Sequence, residues 1–262
     1  MTDLTDEQIH RYARHIVLPE IGEEGQARLL TARILVVGAG GLGAPVLMYL
    51  AAAGVGTLGI IDDDIVDLSN LQRQIIHTTS HIGTAKVVSA AVALKALNPE
   101  VKVERYQRRL EKESARHLIE NYDLVIDGSD NFATRYILND LCYQIRRPLI
   151  MGSLLRFEGQ ISLFKAYDID AQGQHGPCYR CVFPEPPPAN IAPGCAQAGI
   201  LGAIAGVIGA LQAGEAIKEI LGFGDSLSGR LLLYDGLKAQ IASIALSADP
   251  DCPVCGYNRG DQ

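Results

Sequence analysis

The sequence predicts an α/β fold: a Rossmann-like, mostly parallel sheet with an antiparallel extension and a C-terminal segment stapled by zinc. Three observations carry this. The run Arg33-Ile-Leu-Val-Val37 ends abruptly in Gly38-Ala-Gly40-Gly41-Leu-Gly43, and the alanine-rich apolar segment Ala44–Ala53 follows, the order of a buried strand, a tight turn and a helix. Apolar strands then alternate with helical segments along the chain. Two Cys-x-x-Cys pairs, Cys178/Cys181 and Cys252/Cys255, bracket the C-terminal part.

The N-terminal segment opens with Thr5-Asp-Glu-Gln8, the spacing of a capping box, and a helix from about Asp6 carries Arg11 and Arg14. Spacing alone makes those arginines a solvated face. Gly22-Glu-Glu-Gly25 is expected to break the chain, with a short helix over Gln26–Leu30. After the glycine turn, a second strand, Thr57–Ile61, ends in Asp62-Asp63-Asp64. Glycines let a phosphate approach the backbone, and the following helix offers free N–H groups and the positive end of its dipole. Asp62, about 20 residues past the glycines, stands where an acidic side chain takes a ribose hydroxyl. Turn and carboxylate point to a nucleotide without saying which, and an NAD-dependent dehydrogenase remains a remote alternative.

A helix is predicted from near Thr84 to Leu97, so Lys86 sits in its first turn, against the dipole. A phosphate could compensate it, or the long side chain could reach water. Strands follow at Val101–Tyr106 and Tyr122–Asp127, with a helix at Lys112–Asn121 between them. The second strand runs into Gly128-Ser-Asp130-Asn131. Asp127 or Asp130 could hold Mg²⁺ in the crevice beyond the strand ends, and either could cap the next helix, Phe132–Ile145. Pro148–Gly152 is a fifth strand, and Gly159–Lys165 alternates as an added antiparallel one. Gly199, Gly202, Gly206 and Gly209 punctuate an apolar helix reaching Leu221 and permit close backbone approach, in the core or across a dimer interface. Arg230–Tyr234 and Gln240–Leu246 complete the sheet.

With 262 residues, 48% of them hydrophobic, the chain can build one large α/β domain. We divide it into an N-terminal arm (1–30), a nucleotide-binding half (31–153) and a partner-binding half (154–262) with a mobile loop at 182–196. The net charge of −7 argues against a broad nucleic-acid surface. The longest apolar run, Ala198–Leu211, falls short of the roughly 18 residues a membrane span needs. The acidic start lacks a signal-peptide pattern, and six cysteines, four of them in pairs, suit a reducing compartment. A cytoplasmic protein is expected.

Four thiolates in two such pairs fit a closed tetrahedral Zn²⁺ site of structural type, and both pairs read as loops, whereas a redox pair usually opens a helix. Cys195, at a loop-to-helix junction, is either a reactive thiol or a packing residue. No Walker A motif is present, so phosphates would be neutralised by scattered Arg and Lys side chains.

Arg11-Tyr-Ala-Arg14, the GAGGLG turn, Asp62-x-Asp64, Ser69-Asn-Leu-Gln-Arg-Gln74, Lys86, Gly128-Ser-Asp130-Asn131, both cysteine pairs and Cys195-Ala-Gln-Ala-Gly199 together closely resemble the MoeB/ThiF/HesA family, relatives of ubiquitin-activating enzymes. The match runs from about Ile9 to Gly256. The resemblance implies an adenylyltransferase that uses ATP and Mg²⁺ to activate the C-terminal glycine of a small ubiquitin-like sulfur carrier ending in Gly-Gly. A MoaD-like carrier of molybdopterin synthesis is the reading taken forward, and a ThiS-like carrier of thiamine thiazole synthesis the alternative. It further implies that Gly38, Gly40, Gly41 and Gly43 cradle the nucleotide, that Asp62, with Asp64 beside it, holds the ribose, and that Asn70, Arg73, Gln74 and Lys86 face the phosphates. Asp130, beside Asn131, would coordinate Mg²⁺. Arg14 would reach the neighbouring subunit's site in a homodimer. Cys195 matches a cysteine that in some members bonds to the carrier terminus. No sulfur-transfer domain is appended, so a separate sulfur donor is expected.

Overall fold

The computed structural model describes residues 4–169, 175–186 and 199–256. The N-terminal arm consists of α1 (Asp6–Arg11), α2 (Ala13–Ile16) and α3 (Gly22–Thr31). Thr5 caps α1 with the expected reciprocal bonds to Gln8. The helix then breaks at Tyr12, which places Arg14 on α2 rather than on one continuous helix. The expected break at Gly22–Gly25 is corrected: these residues form the first turn of α3. Glu23 and Glu24 complement its dipole there, and Gly25 lets the turn lie against Ile21 and Leu221.

Eight strands form one sheet: β1 (Arg33–Val37), β2 (Thr57–Ile61), β3 (Lys102–Tyr106), β4 (Leu124–Asp127), β5 (Leu149–Leu155), β6 (Glu158–Phe164), β7 (Arg230–Asp235) and β8 (Gln240–Ala245). Their spatial order is β3-β2-β1-β4-β5-β6-β7-β8. The first five are parallel and the last three pair antiparallel, as expected. Helices α4 (Gly43–Ala52), α5 (Lys86–Leu97), α6 (Lys112–Ile119), α7 (Phe132–Gln144), α8 (Tyr179–Val182) and α9 (Gly202–Leu221) complete the described elements.

The pleat of β1 sorts its residues between the sheet's two faces. Ile34 and Val36 join a core with α4, α5 and α9, whereas Leu35 and Val37 join one with α6 and α7. Strand order reverses at β1, whose neighbours are β2 and β4. Open α/β sheets bind ligands outside the strand ends at that point. Two of the α9 glycines serve close packing: a Cβ on Gly209 would strike Pro45 of α4 and the Leu42 carbonyl just before it, and one on Gly202 the Gln72 carbonyl, whereas Gly206 meets nothing within 4 Å. No described helix is long and apolar enough to cross a membrane.

Candidate active site

A cleft of about 390 Å³ opens at the C-terminal ends of β1, β2 and β4. Its floor is the glycine turn. Gly38 has φ +95°, and a Cβ there would sit 2.8 Å from the Gly128 carbonyl oxygen, so the β1 and β4 exits lie backbone against backbone. Gly40 and Gly41 face the cleft. Gly43 does not: its missing side chain makes room for the Gly38 carbonyl beneath α4, 1.9 Å from where a Cβ would be, which is a packing role.

Asp62 organises this turn. One of its carboxylate oxygens accepts the Ala39 N–H (2.8 Å) and the other the Asp64 N–H (2.9 Å). Across the cleft, buried Lys86 donates to Asp64 at 2.6 Å. Lys86 opens α5 with no capping side chain before it, and the anion its charge meets there is the Asp64 carboxylate. Partial burial pushes the Asp64 carboxyl up, but hydrogen bonds from Lys86 and from the Ile65 N–H outweigh this and hold it below its ordinary value.

Arg73 and Gln74 project from the segment after the 3-10 turn Leu68–Asn70. Arg73 lies against Gly41 and donates to the Ser69 carbonyl. Gln74 is buried, and its side-chain oxygen has no partner among the described residues. Asn70 is turned away, closing a capping box with Asp67, and does not line the cleft. Asp130 is exposed on the opposite wall beside Asn131.

Neither aspartate caps α7. Asn131 does, accepting the Thr134 N–H at 2.9 Å, because the strand exit leaves Asn131 extended at the cap position. Asp127 is fully buried at the end of β4. Burial pushes its carboxyl up, against the opposing pull of Arg135, whose Nε stands 3.6 Å away. Arg135 also donates to the carbonyls of Ser129 and Gly152, tying α7 to β5.

The structure therefore gathers Gly38, Gly40, Gly41, Asp62, Asp64, Arg73, Gln74, Lys86, Asp130 and Asn131 in one cleft, and leaves Gly43, Asn70 and Arg14 outside its lining. Arg14 is exposed on α2. Cys195 lies outside the described residues, as does most of the 182–196 loop. Three arginines that sequence reasoning did not single out, Arg108, Arg109 and Arg135, also line the cleft, with Leu154 and Ile200 on the side of the antiparallel extension. Arg135 had a signal in its place, one turn into the helix that Asn131 caps. Arg108 and Arg109 follow β3 on an irregular exit whose course is set only by tertiary packing.

A second cluster lies beyond α7. The Sγ atoms of Cys178, Cys181, Cys252 and Cys255 all fall within 4.8 Å of one another. Neighbouring pairs stand 3.3 Å (Cys181–Cys255), 3.6 Å (Cys178–Cys252) and 3.9 Å (Cys178–Cys181) apart. Disulfide sulfurs would be about 2.0 Å apart, whereas a tetrahedron of ~2.3 Å Zn–S bonds has edges near 3.8 Å. The four residues thus fit Zn²⁺ in a closed, structural site. Without a cation four sulfurs this close cannot all ionise, and the hydrogen bond between Cys178 and Cys181 pushes the first thiol up and the second down. The expectation that both pairs lie in loops is corrected for the first pair. Cys178 stands at the N-cap of α8, a single turn, because one helical turn brings positions three apart onto one side. The convergence of both pairs, rather than the absence of a helix, separates this site from a redox pair. Asn139 of α7 links the cluster to the main fold, donating to Cys178 Sγ and accepting the Tyr179 N–H.

Comparison with known proteins agrees with this geometry. The ThiF family profile matches residues 12–254. The "Sulfur carrier protein adenylyltransferase" of Thermus thermophilus is 48% identical over 252 residues, covering 96% of this chain and 92% of that protein. The "SAMP-activating enzyme E1" of Haloferax volcanii is 47% identical over 254 residues, covering 97% and 91%. The "Adenylyltransferase and sulfurtransferase MOCS3" of Bos taurus is 50% identical over 97% of this chain, which spans 54% of that longer protein. Among solved structures, Escherichia coli MccB with ATP superposes with a TM-score of 0.79 at 21% identity, covering 98% of this chain and 76% of that one, a likeness of fold. A glycine cradle ringed by cations at the switch point, in a chain matched this fully, has one assignment: the protein belongs to the ThiF family and is an adenylyltransferase.

Proposed function

We propose that this adenylyltransferase activates the C-terminal glycine of a small ubiquitin-like sulfur carrier with ATP, releasing pyrophosphate, and that the carrier is MoaD-like, of molybdopterin synthesis. The observation that carries the reading is the meeting of Arg73, Lys86 and Asp130 over the glycine turn in one cleft. The reaction brings a carboxylate, already ionised near neutral pH, up to a polyanion. A carboxylate oxygen attacks the α-phosphorus, the bond from that phosphorus to the bridging oxygen breaks, and its electron pair leaves with pyrophosphate. No proton has to be removed, so no general base is required, and the work is charge neutralisation and alignment.

Each wall has a part in that work. The turn's backbone receives the phosphates at the start of α4. Lys86 exchanges Asp64 for phosphate oxygens, and Arg73 approaches from above Gly41. Asp62 keeps lone pairs for the ribose hydroxyls while its two backbone bonds hold the turn in shape. Asp130 is exposed at the cleft and engages no other side chain by hydrogen bond or ion pair among the described residues, which leaves its oxygens open to a cation. It would hold Mg²⁺, which supplies further neutralisation of the phosphates. Leu154 and Ile200 offer an apolar flank for a slender Gly-Gly tail. Exposed Arg14 is free to serve the cleft of a second copy in a homodimer, and a separate protein would donate the sulfur.

Pyrophosphate exchange into ATP tests this. Exchange stimulated by a MoaD-like carrier and not by a ThiS-like one supports the reading. Stimulation by the ThiS-like carrier alone transfers the enzyme to thiazole synthesis, and exchange indifferent to any Gly-Gly carrier removes the substrate class altogether.

A further inference from the structure

Three segments that contribute to the cleft are joined through one buried imidazole. His77, 6% exposed, follows Arg73 and Gln74 in the chain. Its Nε2 lies 2.9 Å from the Ala39 carbonyl in the glycine turn, and its Nδ1 lies 2.9 Å from Ser89 Oγ on α5. Ser89 is fully buried and stands three residues after Lys86, hence on the same side of that helix.

The chemistry of the partners fixes the ring's state. A carbonyl only accepts, so Nε2 carries the proton and donates. In the neutral ring Nδ1 then has a lone pair and accepts the Ser89 hydroxyl. The backbone of Ala39 is thereby held on both sides of its Cα, its N–H donating to Asp62 at 2.8 Å and its C=O accepting from His77. A glycine turn has few side chains of its own to hold it, and φ +95° at Gly38 leaves it easily reoriented once those two bonds are lost.

We propose that His77 is a positioning residue for ATP: it locks the phosphate-cradling turn against the helix that carries Lys86 and the segment that carries Arg73. It touches no substrate itself. The pocket's preorganisation depends on its Nε2–H reaching Ala39, with Ser89 holding the ring in the donating tautomer. The inference rests on the reading of the cleft as an ATP site.

Reach separates this role from simple packing. A glutamine amide extends as far as imidazole Nε2, and an asparagine amide only as far as Nδ1. In the full-length protein, with Mg²⁺ and a non-hydrolysable ATP analogue, His77→Gln is expected to bind within about 3-fold of wild type, while His77→Asn weakens binding about 10-fold, the upper range of one net hydrogen bond. Ser89→Ala is expected to weaken it about 3-fold. Thermal unfolding is followed on the same samples, since a ring that merely fills space would lower Tm in both His77 variants without ranking their nucleotide affinities.

A folded His77→Asn that binds like wild type, or equal losses in the two His77 variants, overturns the proposal. Should His77→Asn not fold, Ser89→Ala decides, and unchanged affinity there overturns it. Wild-type protein that binds no ATP analogue would instead remove the ATP site itself, and this role with it.

Discussion

The two ends of the sheet are built on different physics. In the parallel half, β2 and β4 are buried along their whole lengths and β1 along all but its first residue. Helices cover both faces, and the cleft is carved where the buried strands end. In the antiparallel extension, β7 is only half-buried and β8 is exposed throughout, with Ile241 and Ile244 facing solvent. Ladder hydrogen bonds hold that hairpin to β6. The chain beyond it is anchored at the four-cysteine corner, through Cys252 and Cys255. The cleft therefore owes its shape to close packing, where a misplaced methyl group is felt, and the C-terminal end meets the rest of the fold at four convergent sulfurs.

That contrast breaks most visibly at the cysteines. Cys252→Ser, or removal of zinc with a chelator, is expected to lower Tm by on the order of 10 °C, the loss of several kcal/mol in a chain of this size. Affinity for an ATP analogue should change little, because none of the four cysteines lines the cleft. A drop in nucleotide affinity matching the drop in stability would show the two regions to be one cooperative unit.

The converse substitution strikes the cleft and spares the fold. Lys86→Ala removes the one lysine lining the described cleft, and pyrophosphate exchange is expected to fall by about 10²-fold or more. Tm should move by only a few degrees, since the lost ion pair has an exposed partner in Asp64. Exchange within a few-fold of wild type would remove Lys86 from the phosphate site.

The smallest effect sharpens the comparison from within the parallel half. Burial lowers the pKa of His77, and the positive charge of Lys86 adds to this. The unfolded chain therefore takes up a proton below about pH 6.5 that the folded ring refuses. The ring's contribution is fully present above that pH, shrinks as pH falls toward the lowered folded value, and is gone below it. Between denaturant titrations at pH 7.5 and 5.5, wild type should lose more stability than His77→Gln. An identical pH dependence would mean the ring takes its proton as readily in the fold as in the unfolded chain.

Much of the site was legible before any coordinates. The strand-turn-helix order around Gly38–Gly43, the carboxylate at Asp62 and the paired cysteines are local patterns, and local patterns survive in one dimension because the spacing is itself the geometry. Gly22–Gly25 misled because glycines at a helix start resemble glycines at a break until the neighbour they pack against, Leu221, is known.

What the chain determined by itself was the alternation of strands and helices, the glycine turn between the first strand and its helix, and the spacing of the two cysteine pairs. Tertiary structure alone decided which charges meet: that Lys86 rests on Asp64, that Asn131 rather than either aspartate caps α7, and that Arg108, Arg109 and Arg135 join the cleft. It also decided that His77 joins a turn 38 residues before it to a helix 12 residues after it. Those outcomes depend on where side chains from distant segments end up once the core closes. Hydrophobic patterning dictates that closure, but it carries no record of which polar tips the closure brings within 3 Å of one another.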